Sequence, residues 1–454
     1  MPTTFNVRIW KTEKYEGKRA TTYVVRWGVD GSARKSRYAT KAMAESFRAE
    51  LVTAVRRGDP FDVQTGRPVA MLRREAVTTT WFDFACMYVE MKWPAISPKH
   101  RKGIAEALAT VTLALLTEEV DSETAKLMRS ALLNWGFNRR RGSPEQPDEV
   151  TTLLNWIGHT SRPIADLSRP EVVRKVLDAA ATKVDGTRAG GRTAAWKRSI
   201  LSTALGYAVE RRLLESNPVK AIAWSAPRTV QRVDRRSVAN PAQARALLEA
   251  VRTTPRSGHL LVGFFACLYY SALRPEEAVN LRARNLDLPD DGWGWITLDG
   301  ATAEVDKQWT DSGLRRDERE LKHRAAGETR RVPCPPALTS ILREHVTNYG
   351  VDEDGRLFRG ERGGACASAT YTRLWNRARK TTLTTAQYAS PLARRPYDLR
   401  HAAVSTWLNG GVAPSQVAEW AGHSVEVLLR VYAKCLDGSE DQALLRIEQA
   451  LQGP

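Results

Sequence analysis

Tyr397-Asp398-Leu399-Arg400-His401, Ala421-Gly422-His423-Ser424 and Val431-Tyr432-Ala433 are three short segments whose reading decides the rest of the chain. Together they carry the pattern Arg-x22-His-x8-Tyr: Arg400, His423 and Tyr432. A guanidinium grips phosphate oxygens in a planar, two-pronged way. An imidazole donates to a further oxygen or moves a proton. A phenol can attack phosphorus and hold the product as an ester. These three side chains at this spacing predict phosphoryl transfer through a phosphotyrosine, with DNA as the natural substrate.

Upstream, Ser271-Ala272-Leu273-Arg274-Pro275-Glu276-Glu277 places a second arginine, Arg274, at the end of the most apolar helix predicted in the chain, Leu260 to Leu273. Such an arginine is either paired in place, with Glu277 three residues on, or presented to an anion. Leu321-Lys322-His323-Arg324 precedes Arg330-Arg331-Val332-Pro333. The text predicts two strands, 318–322 and 329–334, joined by a turn containing Ala325-Ala326-Gly327. Lys322 then stands on a hairpin, where it either swings over a bound backbone or is an ordinary surface lysine.

The composition agrees with a polyanionic partner. In 454 residues there are 69 Lys and Arg against 51 Asp and Glu, a net charge of +18, and so basic a balance is the footprint of nucleic-acid binding. Five cysteines, Cys86, Cys267, Cys334, Cys366 and Cys435, are odd in number and form no Cys-x-x-Cys pair. That predicts reduced thiols in a cytoplasmic protein and neither a disulfide scaffold nor a zinc site. The seven histidines lack metal-ligand spacing. No metal and no cofactor is expected. No signal peptide is legible at the N-terminus, and the longest apolar run, Leu260 to Tyr270, is too short for a bilayer.

The length predicts two or three domains. Residues 1–70 read as a small α+β module: strands around Phe5–Trp10, Thr21–Trp27 and Ser36–Thr40, an Asp30-Gly31 hairpin turn, then a helix from Lys41 to about Arg57 ended by Gly58. Residues 1–76 hold 16 Lys and Arg against 8 Asp and Glu, so the sheet's exposed face is a candidate DNA-groove reader. Residues 77–224 read as all-helical. The last helix of this part carries Arg192, Lys197 and Arg198, candidate phosphate contacts or ordinary solvated residues. Residues 225–240, with Arg235 and Arg236, read as a basic linker. Residues 241–454 read as a mixed α/β, mainly helical domain.

Five ordered elements now resemble the tyrosine recombinase (phage integrase) family. Leu273-Arg274-x-x-Glu277 resembles its first arginine box, and Lys322 stands where its β-hairpin lysine stands. Asp398-Leu399-Arg400-His401 resembles the second arginine box, Gly422-His423-Ser424 the Gly-His box, and Tyr432 the nucleophile. The wording of these segments is similar to integrases of actinobacterial mobile elements. The resemblance implies an arm-type DNA-binding module, a helical core-binding domain and a catalytic domain. It also implies double-stranded DNA attachment sites and a homotetramer assembled on DNA, and it leaves room for an accessory directionality factor. Arg274, Arg400 and His423 would hold the phosphate, Tyr432 would attack it, and Lys322 would protonate the leaving oxygen. One position departs from the pattern. The family's usual His three residues before the second arginine is Tyr397 here, and a phenol, with a reference pKa of about 10, is a poor base near neutrality. A positioning role is expected for Tyr397, and a structural one for His401. A type IB topoisomerase-like relaxase and a non-catalytic DNA-binding regulator are the competing readings.

Overall fold

A computed structural model describes the chain except for residues 1, 17–20, 140–144, 184, 228–232, 323, 326, 362, 433–443, 445–447, 449–450 and 452–454. It divides into two compact units, Met1–Thr229 and Val230–Pro454.

In the first unit, strand Thr21–Val29 is central. Ser32–Tyr38 pairs along one of its edges, and Val7–Ile9 and Glu13–Glu16 share the other, all antiparallel. Asp30 and Gly31 both adopt positive φ, 48° and 79°, the backbone that a two-residue hairpin needs to match strand twist. The Lys41–Arg57 helix starts where the Thr40 hydroxyl accepts from the Met43 N–H and stops at left-handed Gly58. Val25, Trp27, Val29, Ala44, Leu51 and Phe61 form the small core between sheet and helix. The third strand begins at Ser32, earlier than the β-branched text suggests, and Glu13–Glu16 is an added strand. Helices follow from Val69–Thr78 to Pro218–Ala221. Trp81, Phe84 and Tyr88 are buried among them, and the Phe84 and Tyr88 rings lie 6.1 and 6.0 Å from that of Tyr207.

The second unit is built around the apolar Gly258–Tyr270 helix, which packs against Pro241–Thr253, Pro336–Tyr349 and Asp398–Asn409. Phe265 stacks on Trp375 at 5.2 Å. A three-stranded antiparallel sheet runs in the order Arg330–Cys334, Gly294–Leu298, Leu286–Asp287, and a separate hairpin pairs Ala301–Glu304 with Arg316–Arg319. No helix among the described residues is long and apolar enough to cross a membrane.

Three expectations need correction. The strands expected at 318–322 and 329–334 do not pair with each other. Arg316–Arg319 pairs back onto Ala301–Glu304, while Arg330–Cys334 lies against Gly294–Leu298. Leu321 is drawn into the core, so residues 320–329 connect two sheets, and the expected turn stands within that connection, where the Glu328 N–H donates to the Ala325 carbonyl at 3.1 Å. The apolar helix stops at Tyr270, because Ala272 takes a left-handed φ of 49°. Arg274 is therefore the residue that opens the next helix, Pro275–Asn280. Finally, from Val233 onward the expected linker is part of the second unit. Val233 is buried and its N–H donates to the Val431 carbonyl at 3.0 Å, and the Ala393 N–H donates to the Ser237 carbonyl at 2.9 Å.

Candidate active site

Arg274, Arg400, His423 and Tyr432 come from four separate segments and meet at one place. Arg274 is fixed by local chemistry. Pro275 suits the first helical position, and Glu277 reaches back to accept from the Arg274 N–H at 2.8 Å and from its Nη1 at 2.7 Å. The other Glu277 oxygen environment is shared with Arg330, whose Nη2 donates to Oε2 at 2.7 Å. Arg274 Nη2 donates to the Gly422 carbonyl at 2.6 Å. Arg400, fully buried on the Asp398–Asn409 helix, donates to the carbonyls of Ala272 and Ala421 and, at 2.9 Å, to His423 Nε2.

Because arginine only donates, His423 Nε2 must accept, and the ring proton sits on Nδ1. That Nδ1 is buried and has no hydrogen-bond partner among the described residues, as is true of Arg400 Nε. The site thus offers aimed N–H groups in a setting of three buried guanidiniums and one carboxylate. A buried excess of positive charge of this kind favours an anion, since it is screened little by water. Burial pushes the Glu277 carboxyl up, but Arg330, Arg274 and Arg400 outweigh it and hold it at about 2. Burial, and then Arg400, Arg274 and Arg330, hold His423 down at about 3.

Tyr432 ends the Val425–Tyr432 helix and is only 1% exposed, packed with Ala403, Val404 and Leu428. Its hydroxyl lies 2.8 Å from Nδ1 of His401. His401, expected to be structural, therefore stands in direct contact with the candidate nucleophile. One step along a helix does turn a side chain by about 100°, but the Val425–Tyr432 helix covers that flank and brings Tyr432 to it. Arg330 is the second residue the sequence reading missed. It looked like any basic residue opening a strand, and only its register opposite Leu298 beside Glu277 shows otherwise. Alternation within Arg330-Arg331-Val332 was the available signal: the side chains at 330 and 332 share a face, and Val332 is core.

The remaining residues named from sequence fall outside this cluster. Lys322 is exposed in the 320–329 connection, and no hydrogen bond or ion pair among the described residues joins it to the other four. Tyr397 is half-buried just before the Asp398–Asn409 helix. Its ring meets that of His401 edge-on at 5.1 Å, and the Arg400 guanidinium carbon lies 6.0 Å from its centroid. In the first unit, Arg192 is exposed, Lys197 Nζ donates to Thr110 Oγ1 at 3.2 Å, and Arg198 donates to the Val219 carbonyl at 3.3 Å. Burial lowers the Lys197 pKa. Arg235 and Arg236 are exposed, and Arg236 forks onto Asp234 at 3.1 and 2.8 Å. Cys435 and the rest of the chain beyond Tyr432 lie outside the described residues, apart from Leu444, Glu448 and Leu451.

The half-buried imidazoles of His401 and His423 set an acid limit on folding. Unfolded, each takes up a proton near 6.5; folded, His401 does so near 4 and His423 near 3. Their contribution is complete above pH 6.5 and drains as the pH falls through 6.5 toward 3, because the unfolded chain binds protons that the folded one does not. Glu277 acts in the same direction lower down, its contribution present above 4.5 and lost toward 2. Urea unfolding at pH 5 is expected to show a stability lower than at pH 7 by on the order of 2 kcal/mol per imidazole. A flat profile between those pH values contradicts neutral half-buried rings.

Residues 238–437 match the phage integrase family. Over 334 residues the chain is 27% identical to tyrosine recombinase XerC of Mesorhizobium japonicum (strain LMG 29417 / CECT 9101 / MAFF 303099), an alignment covering 71% of this chain and 94% of that one. Among solved structures, a Tn1549 transposon integrase fragment in complex with transposon right end DNA is 18% identical, covering 72% of this chain and 97% of that one, with a TM-score of 0.48. A lambda integrase dimer bound to a COC' core site is 14% identical, covering 90% and 91%, with a TM-score of 0.45. The matched residues 238–437 take in every member of the cluster around Tyr432, so over this stretch the chain is similar to the phage integrase family.

Proposed function

We propose that the chain is a site-specific tyrosine recombinase that cuts and rejoins DNA through a 3′-phosphotyrosyl intermediate to integrate or excise a mobile element. The observation that carries this reading is the convergence of Arg274, Arg400 and His423 beside the Tyr432 hydroxyl. A bound phosphodiester is a monoanion whose charge grows as it is attacked. Arg274 and Arg400 hold its non-bridging oxygens, and His423 Nδ1–H, without a partner among the described residues, donates to it. Donors fixed before the reaction stabilise the developing charge without reorganising. Arg330 and Glu277 keep the arginines in place. Tyr432 Oη forms the bond to phosphorus, the 5′-oxygen departs, and Lys322 protonates it as the 320–329 connection folds over the backbone. One phosphoester replaces another at similar energy, so this scheme has no ATP step, and the arginines supply the positive charge that a metal would otherwise bring.

The net charge of +18 supports double-stranded DNA as partner. Arg192, Lys197, Arg198, Arg235 and Arg236 remain the proposed phosphate contacts. Four strand cuts per recombination call for a tetramer on DNA, in the cytoplasm. The test is covalent trapping on nicked duplexes tiling the DNA that borders the gene, without metal or ATP, followed by strand exchange between two such duplexes. An adduct in the wild type that is absent in Tyr432→Phe, with exchange between partners, is the expected result. Adduct formation with relaxation of any supercoiled plasmid, and no exchange, would point to a relaxase. Tight binding with neither would point to a regulator.

A further inference from the structure

The scheme above lacks an acceptor for the Tyr432 proton. Lys322 is assigned to the leaving oxygen, His423 already accepts from Arg400, and Tyr397 is a phenol. His401 is a half-buried imidazole that the scheme does not use, and its Nδ1 lies 2.8 Å from Tyr432 Oη. The two rings are 5.6 Å apart, centroid to centroid. Resting on the recombinase reading, we propose that His401 is the general base of the reaction, taking the phenolic proton of Tyr432 through Nδ1 as the tyrosine attacks phosphorus.

The surroundings suit the role. Burial lowers His401 to about 4, Asp398 pulls the other way, and Arg395 and Arg400 lower it further. Tyr397 meets its ring edge-on, and the charge of His401 is felt by His423 on the neighbouring segment. With Tyr432 itself, these are the titratable and charged groups that face it among the described residues. The ring is thus neutral near pH 7, with Nδ1 free to accept when the ring proton is on Nε2. A bound phosphate, gaining negative charge during attack, raises the basicity of this imidazole when the proton must move. Arg400 and His401 being adjacent on one helix, the same backbone that aims the phosphate clamp also aims the base.

The step balances. The Tyr432 O–H proton passes to His401 Nδ1, the Oη–P bond forms, and the P–O5′ bond breaks with its electron pair going to the 5′-oxygen, which is protonated by Lys322. On rejoining, the 5′-hydroxyl gives its proton back to neutral Lys322 as its oxygen bonds to phosphorus, the P–Oη bond breaks with its electron pair going to Oη, and the His401 imidazolium returns its proton to that Tyr432 oxygen.

The test uses the full chain and the same nicked duplexes, with the scissile phosphate either natural or carrying a 5′-bridging sulfur, a leaving group that needs no acid. His401→Asn keeps a polar atom near the Nδ1 position but cannot take a proton. It is expected to form adduct at least 100-fold more slowly on both substrates, with DNA affinity unchanged, whereas the defect of Lys322→Ala is relieved by sulfur. The wild-type rate is expected to fall on the acid side as His401 takes a proton. In His401→Asn the plateau above that limb is lost, and the rate keeps climbing with pH as hydroxide takes the proton instead. A His401→Asn rate within 3-fold of wild type and the same pH profile would overturn the proposal while leaving the recombinase reading standing. A wild-type profile with no acid limb would also overturn it, even if the variant fails to fold. A wild type that binds but forms no Tyr432 adduct removes the recombinase reading and this proposal together.

Discussion

Glu277→Ala is expected to destabilise the C-terminal unit by about 3–5 kcal/mol, the typical result of leaving a buried charge without its partner. Here two charges are left. Glu277 accepts from Arg274 at 2.7 Å and from Arg330 at 2.7 Å, and both guanidiniums are buried. Removing the carboxylate makes the site more positive, and a purely electrostatic argument would then predict tighter phosphate binding and faster cleavage. Geometry argues the opposite and wins. Arg274 and Arg330 would repel each other and lose their aim, and a single misplaced transition-state donor commonly costs about 100- to 1,000-fold. Single-turnover adduct formation should drop by at least that factor, and the urea midpoint should fall with it. A variant within about 1 kcal/mol of wild type would show that the pair is not what holds the arginines.

Gly422→Ala is expected to cost about 100-fold or more in adduct formation although only one methyl is added. Gly422 caps the Pro414–Ala421 helix with a left-handed φ of 62° and ψ of 50°, a conformation costing an L-residue roughly 1–2 kcal/mol. The added Cβ would overlap Arg330 Nη1, stand 3.0 Å from Arg330 Cζ and come within 3.2 Å of Arg274 Nη1. The Gly422 carbonyl also accepts from Arg274, so a shift of this backbone moves two arginines at once. Its thermal midpoint should fall modestly while adduct formation falls steeply. Equal and small losses would mean that the site tolerates a displaced Arg330.

These two positions show what the sequence could and could not express. Asp30-Gly31 and Gly58 were legible because turn and cap chemistry is local, whereas the helix start at Pro275 was read as the end of the helix before it. The triad Arg400, His423 and Tyr432 was legible because its residue types and spacing are together unusual. Strand partners were not, since alternation identifies a strand but not its neighbour, and residues 320–329 therefore read as a hairpin turn. The places of Arg330 and His401 were hidden for a related reason. Arg330 gains its role from register against Gly294–Leu298, and His401 from a helix that begins more than twenty residues later. Helix phase alone put His401 on the wrong side of the argument, because phase says which way a side chain points but not what packs there.

The central claim is that Tyr432, aimed by Arg274, Arg400 and His423, forms a covalent bond to DNA. Its most direct test is to trap the protein on nicked gene-border duplexes, digest the adduct with protease and nuclease, and identify by mass spectrometry the residue that carries the nucleotide. The account predicts a 3′-phosphonucleotide on Tyr432 alone, formed without metal or ATP and missing in Tyr432→Phe. A nucleotide on any other residue, or an adduct that survives Tyr432→Phe, would contradict it.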